Sequence, residues 1–339
     1  MSALLKIRRA SPMLTVQDRG RRGLLHAGVS GSGPMDPPAF ALANALVGNG
    51  PEAAGLEYAG FGGTFEVTAP VRIAVTGGEA QLSRDGAALA PWESHELAPG
   101  QVLGVGALKD AVWGYLAVSG GIETPPVLGA RATHLRTGLG GHEGRALREG
   151  DDLPLGETAI GPCLRLRSPL PRGTGPIRVV PGPQDEFFDE AAWAAFAGGS
   201  FTVSATRDRM ATALEGQEIR AAKGHDIVSD GTPLGSVQVP GSGRPIVLMA
   251  ERQTTGGYPK IATVASADLP RLAQTPSGGA LSFTRVSREE AEEAALAARR
   301  ALARAIDTLA PKGSLQLSSE YLLSVNLIDG VVGPEAAEP

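Results

Sequence analysis

Cysteine is nearly missing from this chain of 339 residues: Cys163 stands alone, no internal disulfide can form, and a reducing, cytoplasmic setting is expected. Aromatic residues are scarce at 4%. The longest apolar run, near Ala111 to Val118, falls far short of the ~20 residues that a membrane span requires. Lys6, Arg8 and Arg9 are followed by no apolar segment, so the start does not read as a secretory leader. An excess of positive charge is also lacking. The formal net charge is -5 and the arginines are scattered rather than striped, so nucleic acid is not expected as a partner.

Several chemical signatures are absent too. No GxxxxGK[ST] occurs, and Gly31-Ser32-Gly33 and Gly104-Val105-Gly106 are fragments of a dinucleotide fingerprint without the third glycine. His26, His95, His134, His142 and His225 share no metal-ligand spacing, so no metal is expected. Ser119, in Ala117-Val118-Ser119-Gly120-Gly121, lacks the first glycine and the following helix of a nucleophile elbow. No Met-Lys-Met tripeptide is present to carry biotin, which would have to arrive on another chain or domain.

What is plentiful is glycine, 46 residues, and proline, 26. Both punctuate turns and break helices, so the class is mainly β (α+β), with short strands joined by tight turns. Candidate strands run at 63–67, 71–76, 80–84, 102–105 and 113–118, then at 177–180, 201–204, 245–250 and 261–265. A helix is predicted after Asp36, which caps it, with Pro37 at the first position and Gly48 at its end. Short helices are expected near 189–196 and from Asp268. One long helix begins at Ser287, where Glu290 completes a capping box, and runs to about Leu309 with Ala291, Ala294, Ala295, Ala298 and Leu302 on its apolar face. The Pro, Arg and Gly-rich stretch 161–176 divides the chain into 1–160, 176–310 and a C-terminal segment 311–339. Thr15-Val16-Gln17-Asp18-Arg19-Gly20 is faintly echoed by Thr202-Val203 and Arg207-Asp208-Arg209-Met210, which suggests duplication.

The densest candidate site is Glu251-Arg252-Gln253-Thr254-Thr255-Gly256-Gly257-Tyr258-Pro259-Lys260, set between two apolar runs. Paired glycines permit close approach to a ligand, while Gln253, Tyr258 and Lys260 supply donors and a cation at one rim. Gln17 and Asp18 among arginines, the loop 28–36 ending at Asp36 on a helix N-terminus, Ser229-Asp230-Gly231, and Gln238 are further candidates.

These segments, with Gly33-Pro34-Met35-Asp36, Leu42 to Asn49, Tyr115 to Ile122 and Gly182-Pro183-Gln184-Asp185, run in order across most of the chain. Together they resemble the biotin-dependent carboxyltransferase family, which includes the C subunit of bacterial ATP-dependent 5-oxoprolinase (KipA), part of urea carboxylase, and proteins labelled allophanate hydrolase subunit 2. The resemblance implies two cyclophilin-like β-barrel domains, a KipI-type B subunit and a third, A-type subunit as partners, and ATP used by the complex to open 5-oxo-L-proline to L-glutamate. Alternatives are carboxyl transfer from carboxybiotin to urea or a related small amide, and a non-catalytic regulatory or scaffold subunit. No biotin carboxylase or carrier domain is expected to belong to this chain, which favours the 5-oxoprolinase reading. On that reading Lys260, Asp230 and Gln253 are the candidate catalytic residues. Arg252, Thr254, Gly256, Gly257, Tyr258, Gln238, Gln17, Asp18 and Asp36 are the candidate substrate-binding residues. Lys260 and Arg252 would hold a carboxylate or phosphate, Gln253 and Gln238 would orient the amide, and Asp230 or Asp36 would act as general base if its pKa were raised.

Overall fold

Strand Trp113–Val118 is buried along its whole length, and this organises the first half. The computed structural model describes residues 3–158, 161–167 and 170–312. Leu116 and Val118 point into one core and Trp113, Tyr115 and Ala117 into another. A sheet covered on both faces is written as a continuous apolar run rather than an alternation, as the sequence here shows.

The first core lies between two antiparallel sheets. One has six strands in the order Asp152–Pro154, Leu4–Ala10, Phe61–Val67, Val102–Leu108, Ala80–Arg84, Ala87–Leu89. The other has five, in the order Thr15–Gln17, Gly55–Ala59, Trp113–Val118, Val71–Thr76, Ser94–Leu97. Leu5, Ile7, Phe65, Leu103, Leu56 and Ile73 fill the space between them. On the far side of the five-stranded sheet lies helix α1, Pro37–Leu46, whose Phe40 meets Tyr115 edge to face at 5.7 Å. Asp36 Oδ1 accepts from the Ala39 amide at 3.1 Å and caps the helix, as the sequence predicts.

The second half is an eight-stranded sheet ordered Ala280–Leu281, Phe201–Arg207, Ala211–Glu215, Ile246–Leu248, Ser236–Gln238, Lys260–Val264, Ile177–Pro181, Phe283–Arg285. Its two edge strands are separated in sequence only by Ser282, so the chain steps from one edge to the other and the sheet curls into a nearly closed barrel. Closure of this kind removes exposed strand edges. Helix α2, Glu190–Gly198, packs Phe196 onto Phe283 with ring centroids 4.6 Å apart. Helix α3, Leu269–Gln274, follows Asp268 with proline in its first turn, as expected.

Helix α4, Arg288–Asp307, has the predicted capping box but ends short of Leu309 and has no fully buried residue. Its alanine stripe is too shallow to sink into the core, so Ala291, Ala294, Ala295 and Leu302 are half-buried while Ala298 is exposed. After it, Ala310–Pro311 pairs with Leu164–Arg165 and returns the chain to the linker. Of the expected segment 311–339, residues 313–339 lie outside the described residues. Among the described residues no helix is long and apolar enough to cross a membrane.

Candidate functional site

Lys260 begins a strand rather than ending a loop, and its neighbour across the sheet is Gln238. Residues opposed in this way project from the same face. The register shifts between Val237 and Gln238, an irregularity of the kind that re-aims side chains at sites. The Lys260 side chain is 0% exposed, and its Nζ makes no hydrogen bond of ordinary geometry; Asp230 Oδ2 stands 3.4 Å away.

Two turns frame this ammonium. In Gly182-Pro183-Gln184-Asp185, a Cβ on Gly182 would collide with the Lys260 carbonyl oxygen, so only glycine admits this approach. Gln184 then accepts from the Lys260 amide at 3.3 Å and donates to Asp230 Oδ2 at 2.8 Å. Asp230–Gly231 pairs with Thr255–Gly256, which folds the glycine-rich loop over the face that carries Lys260. The hydrogen bonds from Gln184 and the Gly231 amide, with Lys260 nearby, hold the Asp230 carboxyl below its usual range. It is therefore a standing anion and counter-ion near neutrality, not a group poised to take a proton.

Gln253 Nε2 donates to Gln238 Oε1 at 3.1 Å. This leaves Gln238 Nε2 and Gln253 Oε1 buried with no partner. Gly256 lies against the Gln238 amide, where a Cβ would crowd Nε2. The rest of the loop is held by backbone: Thr232 donates its amide to Thr254 at 3.0 Å and its hydroxyl to the Gln253 carbonyl, and Ile227 donates to Gly257 at 2.9 Å. Arg252 is buried, which pushes its pKa down, and its Nε donates to the Thr232 carbonyl at 2.7 Å. Tyr258 is exposed at the rim.

Gln17, Asp18 and Asp36 sit in the first half, and their polar atoms are committed to its framework. Gln17 bonds the Thr15 hydroxyl, the Thr133 carbonyl and the Gly33 amide. Asp18 accepts from the amides of Gly20, Arg131 and Ala132. Asp36, besides capping α1, accepts from Gln274 Nε2 at 2.9 Å; burial pushes its pKa up, against the pull of Gln274 and the Ala39 amide.

A node that sequence reasoning missed joins the two regions. Arg209, fully buried, ion-pairs with Glu57, donates from Nε to Glu251 Oε1 at 2.6 Å and from Nη2 to the Gly33 carbonyl at 2.7 Å. Burial raises the Glu57 carboxyl and Arg209 offsets this only in part. Glu251 heads the glycine-rich loop, and its other oxygen accepts from the Leu135 amide at 3.1 Å and lies 4.0 Å from His134 Nδ1. His134 bonds Ser30 at 2.8 Å, and burial lowers its pKa. Sequence offered Arg209 only as part of a faint repeat, and Glu57 not at all. A cavity of about 110 Å³ lies elsewhere on the seam, lined by Asp36, Leu42, Trp92, Arg172 and Asp268.

Comparison with known proteins agrees with this architecture. The chain is 40% identical over 293 residues to the C subunit of 5-oxoprolinase from Escherichia coli (strain K12), covering 86% of this chain and 94% of that one. Among solved structures, TTHA0988 is 36% identical with a TM-score of 0.76, matching 84% of this chain and 56% of its own. The K. lactis urea amidolyase is 25% identical with a TM-score of 0.82 over 94% of this chain, which spans only 21% of that protein. The sequence family "Carboxyltransferase domain, subdomain A and B" matches residues 27–285, and the chain belongs to it.

Proposed function

We propose that this chain is the C subunit of an ATP-dependent 5-oxoprolinase, acting with a KipI-type B subunit and a third, A-type subunit to open 5-oxo-L-proline to L-glutamate. The observation that carries the reading is the group formed by Lys260 Nζ, Gln238 Nε2 and Gln253 Oε1 on one face of the barrel, buried polar atoms that make no protein hydrogen bond, Lys260 having only the Asp230 carboxylate 3.4 Å away. Each such atom left unsatisfied costs about 1–3 kcal/mol, which a ligand's oxygen or N–H would recover. A cation beside a paired donor and acceptor suits a small molecule carrying both an amide and an anionic oxygen. In this reading Lys260 takes the anionic oxygen, with Asp230 fixing its position, and the glutamines orient the amide. Arg252 and Tyr258 line the approach, and Thr254, Gly256 and Gly257 shape it. Gln17, Asp18 and Asp36 support the neighbouring framework. ATP serves as cosubstrate of the assembly, and its phosphoryl oxygens are a second kind of anion that Lys260 fits. Biotin is not carried on this chain.

The similarity to the urea amidolyase favours one further reading, carboxyl transfer from carboxybiotin to urea or a related small amide. ADP release from ATP in the presence of 5-oxo-L-proline, measured in the reconstituted assembly with and without this chain, separates the two. Release that depends on this chain and is abolished by Lys260→Met supports the 5-oxoprolinase assignment. Release indifferent to the chain removes it, and leaves transfer to urea or a scaffold role.

A further inference from the structure

The amide groups of Gln238 and Gln253 are joined edge to edge by one hydrogen bond, so each keeps one group unused: a donor, Nε2 of Gln238, and an acceptor, Oε1 of Gln253. If both amides turned over, the free donor and acceptor would change owners, but the pair would still present one of each. Lys260 stands directly across the sheet from Gln238, so the cation and the amide pair share one face. An ordinary peptide group is trans, with N–H and C=O pointing in opposite directions. It cannot meet an adjacent acceptor and donor at once. A five-membered lactam is held cis by its ring and presents N–H and C=O side by side.

We infer that Gln238 and Gln253 form a reader for the edge of a cis amide, the substrate's N–H donating to one glutamine and its carbonyl accepting from the other, while Lys260 takes the carboxylate. This rests on the proposed function and adds the residues that set specificity. It accounts for Gly256, because any side chain there would push the Gln238 amide out of line. It also accounts for Arg252 and Thr232, whose bonds to the loop backbone fix where Gln253 starts. The reader would reject linear peptides and N-acyl amino acids, whose trans amides satisfy only one of the two glutamines.

The test compares 5-oxo-L-proline with its γ-lactone analogue, 5-oxotetrahydrofuran-2-carboxylate, in which ring oxygen replaces N–H at nearly the same size. Affinities are measured by titration calorimetry on the reconstituted assembly carrying wild-type chain, Gln253→Met, Gln238→Met, Gly256→Ala or Lys260→Met. A lost hydrogen bond to a buried partner corresponds to roughly 5- to 150-fold. The wild type should therefore prefer lactam over lactone by at least 5-fold. Gln253→Met, which removes the acceptor for the substrate N–H, should bring that ratio to within 2-fold of one; Gln238→Met, which removes the donor to the carbonyl that both ligands carry, should weaken both, and Gly256→Ala, which displaces that donor, should do the same with little change in unfolding temperature. Lys260→Met should weaken both ligands alike and keep the ratio. A wild-type ratio near one, or a ratio unmoved in Gln253→Met, overturns the reader while leaving the site standing. Equal binding by wild type and Lys260→Met, or no binding of either ligand to the wild-type assembly, overturns the site and the reader together.

Discussion

Arg209 offers the sharpest test of how the two halves are joined. Replacing it with methionine keeps most of the apolar stem but removes the ion pair to Glu57, the bond to Glu251 and the bond to the Gly33 carbonyl. All three are charge-assisted, since the guanidinium is the donor, and such bonds contribute about 1.5–3 kcal/mol each, which sums to roughly 4.5–9 kcal/mol. Part is recovered because the stranded Glu57 can take up a proton, so the expected net loss is about 3–5 kcal/mol, as for other broken buried pairs. At about 2–4 °C per kcal/mol for chains of this order of size, the unfolding temperature should fall by roughly 6–20 °C. Urea unfolding at neutral pH gives the free energy directly. The sign of the pH dependence follows from the same proton. A carboxyl whose folded pKa is raised binds more protons folded than unfolded, so Arg209→Met should lose less stability at acid pH than at alkaline pH. Removing the charges together, with Glu57→Gln and Glu251→Gln added, should restore at least half of the loss. A deficit below about 1 kcal/mol in the single variant, or no recovery in the triple, would refute the claim that a buried ionic node holds the seam.

Lys260→Met should abolish turnover and leave stability unchanged or up to about 1–3 kcal/mol higher, because the buried ammonium makes no hydrogen bond and has only the Asp230 carboxylate, 3.4 Å away, as partner; a loss of stability in urea would show instead that this ion pair holds the fold. Burial pushes the Asp268 carboxyl up, but the hydrogen bonds from Arg178 more than offset this and hold it below its ordinary range. Its contribution is therefore present above about pH 4 and lost as the pH falls further, and Asp268→Asn should flatten the acid limb of the stability curve. His134 is lowered by burial, so the unfolded chain takes the proton first and stability should decline below about pH 6.5. His134→Gln should weaken that decline in urea midpoints measured at pH 5 and 7.5. Phe196→Ala, which removes the ring stacked on Phe283, should cost about 3–5 kcal/mol by the same measurement without altering ligand preference.

The local elements were legible because their rules are local. Asp36 with Pro37 starts α1, and Ser287 with Glu290 starts α4, through contacts within one turn. Lys260, Gln238, Gln253 and Asp230 were legible as polar groups flanking apolar strands. Their arrangement was not, since opposing Gln238 to Lys260 depends on a register irregularity that no short window contains. Asp18 reads among arginines as a substrate-binding carboxylate, and its bonds to the Arg131 and Ala132 amides, more than a hundred residues away, are likewise beyond any short window. Arg209 and Glu57 lie 152 positions apart, and neither looks unusual until the fold buries them together.

The strand Trp113–Val118 serves two interiors at once, and this makes the halves poor candidates for separation. A fragment stopping at the linker would cut through the second interior and leave open the side where Trp113, Phe40 and Leu46 join residues of the other half such as Met249 and Leu269. Released alone, the first half would be expected to seek another surface to cover it. The chain is thus better regarded as one folding unit with two β-rich halves than as two modules on a string, and dissection experiments on it should swap residues across the seam rather than cut along it.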